Sequence, residues 1–114
     1  MEHSLSLLQA EIDQLKILAA QPLIQNLHAR GVLKCLSEAE FKVFSQFGDD
    51  GIIQYLIHRL RPLPDSFVEF GVQNYRESNT RFLLVNNNWR GLVMVATRSS
   101  FASFKRMISI GVIP

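Results

Sequence analysis

Two short apolar runs, joined by a polar loop and a helical stretch, decide the fold of this chain. The first run is Ser66-Phe67-Val68-Glu69-Phe70-Gly71 and the second is Leu92-Val93-Met94-Val95. A short apolar run bounded by turn residues is typical of a buried strand. Between them the pattern predicts a helix that begins near Ser78 and ends at Asn86-Asn87-Asn88. Strand, helix and strand within about 30 residues predict a βαβ unit with parallel strands and a right-handed crossover.

The N-terminal part of the chain predicts helices. Apolar residues recur there at spacings of three and four, which indicates an amphipathic helix with one apolar face. This face, called the leucine seam below, consists of Leu5, Leu8, Ile12, Leu15 and Leu18. Pro22 is expected to end or kink the helix. A second helical stretch then runs from Leu23 to Arg30, where Gly31 suits a C-cap. The seam either packs on the rest of the domain or forms a short coiled coil.

Two further elements precede the first strand. Ser37-Glu38-Ala39-Glu40 has the spacing of a capping box and predicts a short helix or turn before Phe41 and Phe44. In Gly48-Asp49-Asp50-Gly51, either aspartate could cap the next helix, which we expect from Ile52 to Leu60. The buried side of that helix is expected to hold Ile52, Ile53, Leu56 and Leu60.

The composition is that of an ordinary globular chain with room for one domain. Of the 114 residues, 47% are hydrophobic and 19% are charged, and the net charge is +2, which argues against disorder. All acids lie within residues 1–77, whereas residues 78–114 hold five Lys or Arg and no acid. Those five do not cluster and no aromatic platform accompanies them, so we do not expect nucleic-acid binding.

Several classes of protein and site are excluded by the cysteine count, the hydropathy and the spacing of the histidines. The single cysteine, Cys35, has no partner within the chain, which excludes a disulfide scaffold. No apolar run approaches the ~18 residues of a transmembrane helix. Glu2 and His3 stand where a signal peptide would be basic, so we expect a cytoplasmic protein. His3, His28 and His58 are far apart and show no metal-ligand spacing, so they are expected to be exposed or capping residues and no metal site is predicted.

The carboxyl end of the first strand is the candidate binding edge. Ligands of open parallel sheets bind at the carboxyl ends of the strands, where residues Glu69 to Gly71 lie. Glycine lets backbone approach a ligand, and a helix that begins near Ser78 offers amide groups. The later glycines of a dinucleotide fingerprint are missing. From the residues alone, this turn is either a cofactor site or a structural turn in which Glu69 pairs with Arg81 or Arg90.

Four ordered blocks sharpen this interpretation. They are Ser45-Gln46-Phe47-Gly48-Asp49-Asp50-Gly51-Ile52-Ile53, Phe67-Val68-Glu69-Phe70-Gly71-Val72, Glu77-Ser78-Asn79-Thr80-Arg81-Phe82-Leu83-Leu84 and Asn88-Trp89-Arg90-Gly91-Leu92. Together they resemble the FkbM-type family of S-adenosylmethionine-dependent methyltransferases, over roughly Phe44 to Met94. The resemblance implies a Rossmann-like fold and S-adenosylmethionine as the cofactor. The cofactor-binding residues that it implies are Gln46, Asp50, Glu69, Phe70, Gly71, Val72, Ser78, Asn79 and Thr80.

Two departures from the family pattern follow Met94. Relatives carry an acid just after the second strand, commonly within Asp-Gly-Ser, and Val95-Ala96-Thr97 stands there. Valine cannot accept hydrogen bonds from ribose hydroxyls. The chain also ends after only two of the usual strands. A changed reading frame, a natural short form and a divergent end all remain open.

We therefore expect a truncated Rossmann-like parallel sheet in an α/β domain with a helical N-terminal extension. The extension would cover residues 1–36 and the incomplete domain residues 37–114. The predicted function is a truncated methyltransferase that is inactive alone, with unknown catalytic residues and methyl acceptor. The alternative is a non-catalytic module that self-associates through the leucine seam. An exposed sheet edge would also promote association.

Overall fold

A computed structural model describes residues 2–73, 75–95 and 106–110 of the chain. Helices and strands both occur in it. In chain order the elements are α1 (Glu2–Arg30), a 3₁₀ helix (Leu36–Ala39), α2 (Asp49–Arg59), β1 (Ser66–Val72), α3 (Arg81–Asn87), β2 (Arg90–Val95) and β3 (Arg106–Ile110). Across these residues, no helix is both long and apolar enough to cross a membrane.

Helix α1 is continuous through Pro22, so the expectation that the helix ends at that residue is wrong. Proline removes one backbone donor and normally disrupts a helix interior. Here Ala20 and Ile24, which flank the proline, are both buried in one core cluster. We attribute the continuity of the helix to this packing on both sides of Pro22. The helix ends before Gly31, whose φ of 74° is the left-handed conformation expected of a C-cap glycine.

The leucine seam does not pack against the described part of the chain, contrary to one of the two expectations for it. All five of its residues are exposed. The buried face of α1 instead carries Ala20, Ile24 and Leu27, with Ile17 packed against them. Asp13 lies on the same face, because it accepts hydrogen bonds from arginines that follow β1. Apolar residues therefore recur on both the inward face and the exposed seam, so hydropathy alone does not show which of the two faces packs on the core.

The predicted start of α2 and its predicted buried side both differ from the structure. α2 begins at Asp49 rather than Ile52, and Leu60 is exposed. Its buried residues are Asp50, Gly51, Gln54 and Tyr55, whereas Ile52, Ile53 and Leu56 are only half-buried. The face that holds Gly51 can pack this closely because glycine has no Cβ; a Cβ there would collide with the carbonyl oxygen of Ala39.

The capping interaction of the 3₁₀ helix is also displaced from the predicted Ser37–Glu40 box. The Cys35 backbone N–H donates to Glu38 Oε2 at 3.1 Å. Arg30, in the last turn of α1, donates from Nη2 to Glu38 Oε1 at 2.8 Å. Glu38 rather than Glu40 serves the N-terminus of the 3₁₀ helix, because the capping residue is Cys35 and Glu38 lies three residues after it.

The sheet contains the predicted parallel pair and one strand more. β1 and β2 are parallel, with Ser66 opposite Arg90 and Phe70 opposite Met94. α3 connects them, which confirms the strand, helix, strand order. β3 pairs antiparallel with the other edge of β2, giving the order β1-β2-β3. The expected limit of two strands is therefore wrong. The Met107-Ile108-Ser109-Ile110 sequence suits a strand, because β-branched residues favour the extended backbone.

The core lies among the helices and the segment before α2 rather than on both faces of the sheet. It contains Phe82 of α3, packed with Val43 and Phe44 against α1. Val68 and Phe70 of β1 are exposed, so the prediction of a fully buried strand is wrong. The described elements cover one face of β1 and leave the face of these two residues open.

Candidate functional site

A cleft of about 320 Å³ opens at the carboxyl end of β1. It joins the segment before α2, the end of β1 and the loop that leads to α3. The residues that line it are Gln46, Glu69, Gly71, Val72, Gln73, Glu77, Ser78 and Asn79. This is the edge at which the sequence predicts a ligand, and it unites residues that are far apart in the chain.

Most of the residues implied by the family resemblance meet in this cleft, and three do not line it. Asp50 is buried below the segment that carries Gln46. Phe70 lies on the open face of β1, and Thr80 is buried behind Glu69. The structure adds Gln73 and Glu77, which belong to the polar loop but were not among the candidate residues. Gln73 directly follows the second block and Glu77 begins the third, and these positions were the signal in the sequence that could have identified them.

The Glu69 carboxylate binds the loop before α3. Its Oε2 accepts a hydrogen bond from the Asn79 N–H at 3.1 Å, and its Oε1 accepts one from the Thr80 N–H at 3.1 Å. The Thr80 hydroxyl donates to the same Oε1. Neither Arg81 nor Arg90 pairs with Glu69, so the alternative of such an ion pair is wrong. Glu69 does have a structural role, which is to close the loop onto β1.

The amide groups expected to be available at the start of α3 are already bonded within the chain. α3 begins at Arg81, and Ser78 to Thr80 lie in the turn before it. The Ser78 N–H donates to the Phe44 carbonyl oxygen at 3.2 Å, and the Arg81 N–H donates to Ser78 Oγ at 3.1 Å. Together with the two amides bound by Glu69, these bonds leave no amide of this turn for a ligand carboxylate.

Gly71 has a backbone conformation that requires glycine. Its φ is 78°, in the left-handed region, and the β1–β2 register shifts between Phe70 and Val72. A glycine at a bulge avoids the strain that a side chain would bring to this conformation. A Cβ at Gly71 would meet no atom within 4 Å, so the backbone dihedral, rather than space, imposes the glycine.

Asp50 acts on the cleft through the segment that precedes α2. Its Oδ2 accepts hydrogen bonds from the backbone N–H groups of Val43, Phe44 and Ser45 at 2.8, 2.7 and 2.9 Å. The Asp50 N–H in turn donates to Ser45 Oγ at 3.2 Å. This double tie fixes the chain immediately before Gln46, so Asp50 positions a cleft residue without lining the cleft.

An ion cluster ties the loop of the cleft to α1. Asp13 Oδ2 accepts from Arg81 Nη2 at 2.9 Å and from Arg76 Nη2 at 3.2 Å. The Arg81 guanidinium also lies 3.9 Å from the centroid of the Phe44 ring. Partial burial of Asp13 opposes its ionisation, but hydrogen bonds and charge from Arg81, with help from Gln9 and Arg76, lower its pKa. The N-terminal helix therefore helps to hold the loop that lines the cleft.

The lining residues give the cleft an acidic and amide-rich character. Glu69 and Glu77 supply carboxylates, and Gln46, Gln73 and Asn79 supply amides. Of the described residues that line it, none is Lys, Arg, His or Cys. Such a set suits a ligand with positive charge and hydroxyl donors, because carboxylates accept hydrogen bonds and stabilise nearby cations.

A second cavity, of about 340 Å³, lies at the opposite end of the sheet, beside Asp65 and Trp89. His28 of α1 and His58 of α2 stack in its wall with ring centroids 3.8 Å apart. The pKa of His58 is lowered, chiefly by burial and then by the charge of His28 and nearby arginines. The sequence does not reveal this pair, because only the packing of α1 on α2 brings the two histidines together.

No protein-family model, no curated protein and no solved structure matches the chain. The motifs of the chain and the geometry of the cleft are therefore the observations that bear on function.

Proposed function

We propose that the chain carries the cofactor-binding part of a Rossmann-like, FkbM-like methyltransferase domain, and that the cleft at the end of β1 binds S-adenosylmethionine. One observation carries the proposal. Residues from three of the sequence blocks that resemble this family meet in the cleft: Gln46, then Glu69, Gly71 and Val72, and then Ser78 and Asn79. These blocks were recognised by residue pattern alone, so their convergence on one cleft is independent support.

The residues of the cleft fit the cationic groups and the ribose of the cofactor better than they fit its carboxylate. Glu69 and Glu77 suit its ammonium and sulfonium groups, and the side-chain amides of Gln46 and Asn79 suit its ribose hydroxyls. The cofactor carboxylate is poorly served, because the amides before α3 are bonded to Phe44, Glu69 and Ser78. When bound, the cofactor supplies an electrophilic methyl group. The chain would bind and orient it.

The affinity of this cleft is expected to be low. In the family pattern an acid after the second strand binds the ribose, and Val95 occupies that place. Loss of a hydrogen bond to a charged acceptor costs about 1.5–3 kcal/mol, which is roughly ten- to a hundredfold in affinity. We therefore propose a dissociation constant in the millimolar range and no measurable methyl transfer by this chain.

Titration of the ¹⁵N-labelled chain with S-adenosylmethionine tests the proposal. We expect saturable NMR shifts confined to the amides of Gln46, Gly71, Gln73 and Asn79. S-adenosylhomocysteine, which lacks the sulfonium charge, should bind more weakly because the cleft is acidic. Absence of saturable shifts, or shifts that centre on the second cavity, would refute the site.

Two matched variants test the electrostatic part of the proposal. Glu77→Gln removes a carboxylate that lines the cleft and should weaken binding of the cofactor. Asp65→Asn removes an exposed carboxylate beside the second cavity and should leave binding unchanged. Equal effects of the two would mean that only net charge matters. Micromolar binding by the unaltered chain would contradict the low affinity and indicate that another chain completes the cleft.

A further inference from the structure

Helix α1 has two opposite faces, and only one of them packs against the core of the described chain. If Leu5 is placed at heptad position a, then Leu8, Ile12 and Leu15 fall on d, a and d. The residues that face the core fall on b and f instead. They are Asp13, Ile17, Ala20, Ile24 and Leu27. The side of α1 that carries the leucine seam is therefore turned away from the core, and its residues are 46–65% exposed.

We propose that a second copy of this chain covers the leucine seam, as a parallel two-stranded coiled coil of α1 helices. Leu5, Leu8, Ile12 and Leu15 would each meet their own counterpart across the dimer axis. Alternating a and d residues of this kind form such a seam. Because the core contacts lie on b and f, the two bodies would sit on the outer sides of the helix pair and would not obstruct it.

The residues that flank the seam match each other in the parallel orientation. In a parallel pair, each g residue lies beside the e residue five positions later on the second helix. Glu11 at g then meets Lys16 at e of the second copy, so opposite charges face each other twice in the dimer. The next such pair is Leu18 with Leu23, and both are exposed in the single chain. Charge and hydropathy therefore agree on the same register.

The antiparallel orientation is disfavoured by the same residues. An antiparallel pair that buries the same four seam residues places g residues opposite each other. Glu11 would then face Glu11 of the second copy, and like charges repel. Lys16 already donates to the Val43 carbonyl oxygen at 3.3 Å, but an ammonium group has two further donors for Glu11 of the second copy.

The length of the seam determines the strength of the dimer. Ala19 continues it at an a position, and Pro22 then occupies d, where the side chain cannot supply a leucine-like contact. About two heptads therefore pair, which is short for a coiled coil. We expect a reversible dimer that dissociates on dilution in the micromolar range.

Charge-reversal variants of the full chain test both the partner and the orientation by sedimentation equilibrium. In the homodimer of Glu11→Lys two lysines face each other twice, and in that of Lys16→Glu two glutamates do so. Each variant should dimerise about tenfold more weakly than the unaltered chain. An equal mixture of the two should dimerise more tightly than either variant alone, because the heterodimer relieves the repulsion between like charges at both flanking positions. A mixture no stronger than either variant alone would overturn the parallel register.

A second set of variants tests the seam itself. Leu8→Lys with Ile12→Lys should abolish dimerisation and leave the helix content of the monomer unchanged, because neither side chain contacts the core. Its unfolding midpoint should equal that of the unaltered chain at low concentration, where both are monomeric, and fall below it at high concentration, because dimerisation stabilises the folded state. Leu36→Lys, at an exposed leucine outside α1, is the matched control and should leave the dimer intact. The proposal fails if the unaltered chain stays monomeric at high micromolar concentration. It also fails if the double variant self-associates to the same extent as the unaltered chain.

Discussion

The Asp50 carboxylate shows how one residue can shape the cleft without touching a ligand. It is 1% exposed, and one of its oxygens accepts three backbone N–H bonds from Val43, Phe44 and Ser45. A buried charge is tolerated only when such bonds replace its hydration. Among the described residues its other oxygen, Oδ1, has no hydrogen-bond partner. The stability of the segment before Gln46 therefore depends on this single side chain.

Asp50→Ala should destabilise the fold by about 3 kcal/mol or more, because three buried N–H groups lose their acceptor. Asp50→Asn should cost about 1–2 kcal/mol, since its amide oxygen still accepts while the charge is lost. Urea unfolding followed by circular dichroism measures both. Asp49→Ala is the control, because Asp49 makes no side-chain hydrogen bond to the described residues and should change little. A similar, small loss for all three variants would contradict this role of Asp50.

At the scale of elements, local pattern predicted the βαβ unit well and the use of α1 poorly. The runs around Val68 and Val93 are short, apolar and bounded by turns, so their strands and their parallel pairing could be read from the sequence. The inward face of α1 depends on Asp13, whose arginine partners lie 63 and 68 residues further along the chain. Ile17, Ala20 and Ile24 also recur at helical spacing, so local periodicity offers two apolar faces and does not show which one packs inward.

The position of the candidate site could be predicted from the sequence, whereas the groups that it offers to a ligand could be predicted only in part. Ligands of parallel sheets bind at the carboxyl ends of the strands, and this predicted a site at Glu69 to Gly71. The sequence blocks that resemble the FkbM-type family added Gln46 and Ser78, which do line the cleft. The amides before α3 could not be assigned from sequence, because Glu69 takes two of them by reaching across the loop. Residues 96–97, where the family acid was expected to be replaced, lie outside the described residues.

The contact between α1 and α2 should weaken in mild acid. The pKa of His58 is lowered by burial, by His28 of α1 and by Arg61 and Arg59. A base whose folded pKa is lowered favours the neutral form in the folded state. Its stabilisation is therefore complete above the ordinary value of 6.5 and is lost as the pH falls below 6.5 through the lower folded pKa.

The free energy of unfolding should accordingly fall as the pH drops below 6.5, the ordinary histidine value. His58→Phe keeps an aromatic ring against His28 and removes the titration, so it should flatten this part of the pH profile. His3→Phe, at an exposed histidine in the first turn of α1, should leave the profile unchanged. Urea titrations at several pH values measure the slopes. An unaltered slope in His58→Phe would exclude the stacked pair as its source.

In the molecule as a whole, two surfaces favour association: the leucine seam of α1 and the unpaired edge of β1. The leucine seam presents side chains in a register that a second α1 can match. β1 lies at the end of the strand order, so one of its backbone edges is unpaired by the described residues. Val68 and Phe70 leave an apolar face beside that edge. An exposed apolar edge strand is a template for aggregation rather than for a defined dimer.

Aggregation on heating should therefore start at β1 and be slowed by a charge on that strand. Val68→Lys places an ammonium group at a position that is 57% exposed, where it can be solvated without disturbing the core. Val32→Lys is the matched control, because Val32 is 75% exposed and lies outside the sheet. Both changes are made together with Leu8→Lys and Ile12→Lys, so that the seam does not contribute. Light scattering during a thermal ramp should show slower aggregation for Val68→Lys only. If Val32→Lys slows it equally, the effect arises from net charge, and β1 is not the site at which aggregation begins.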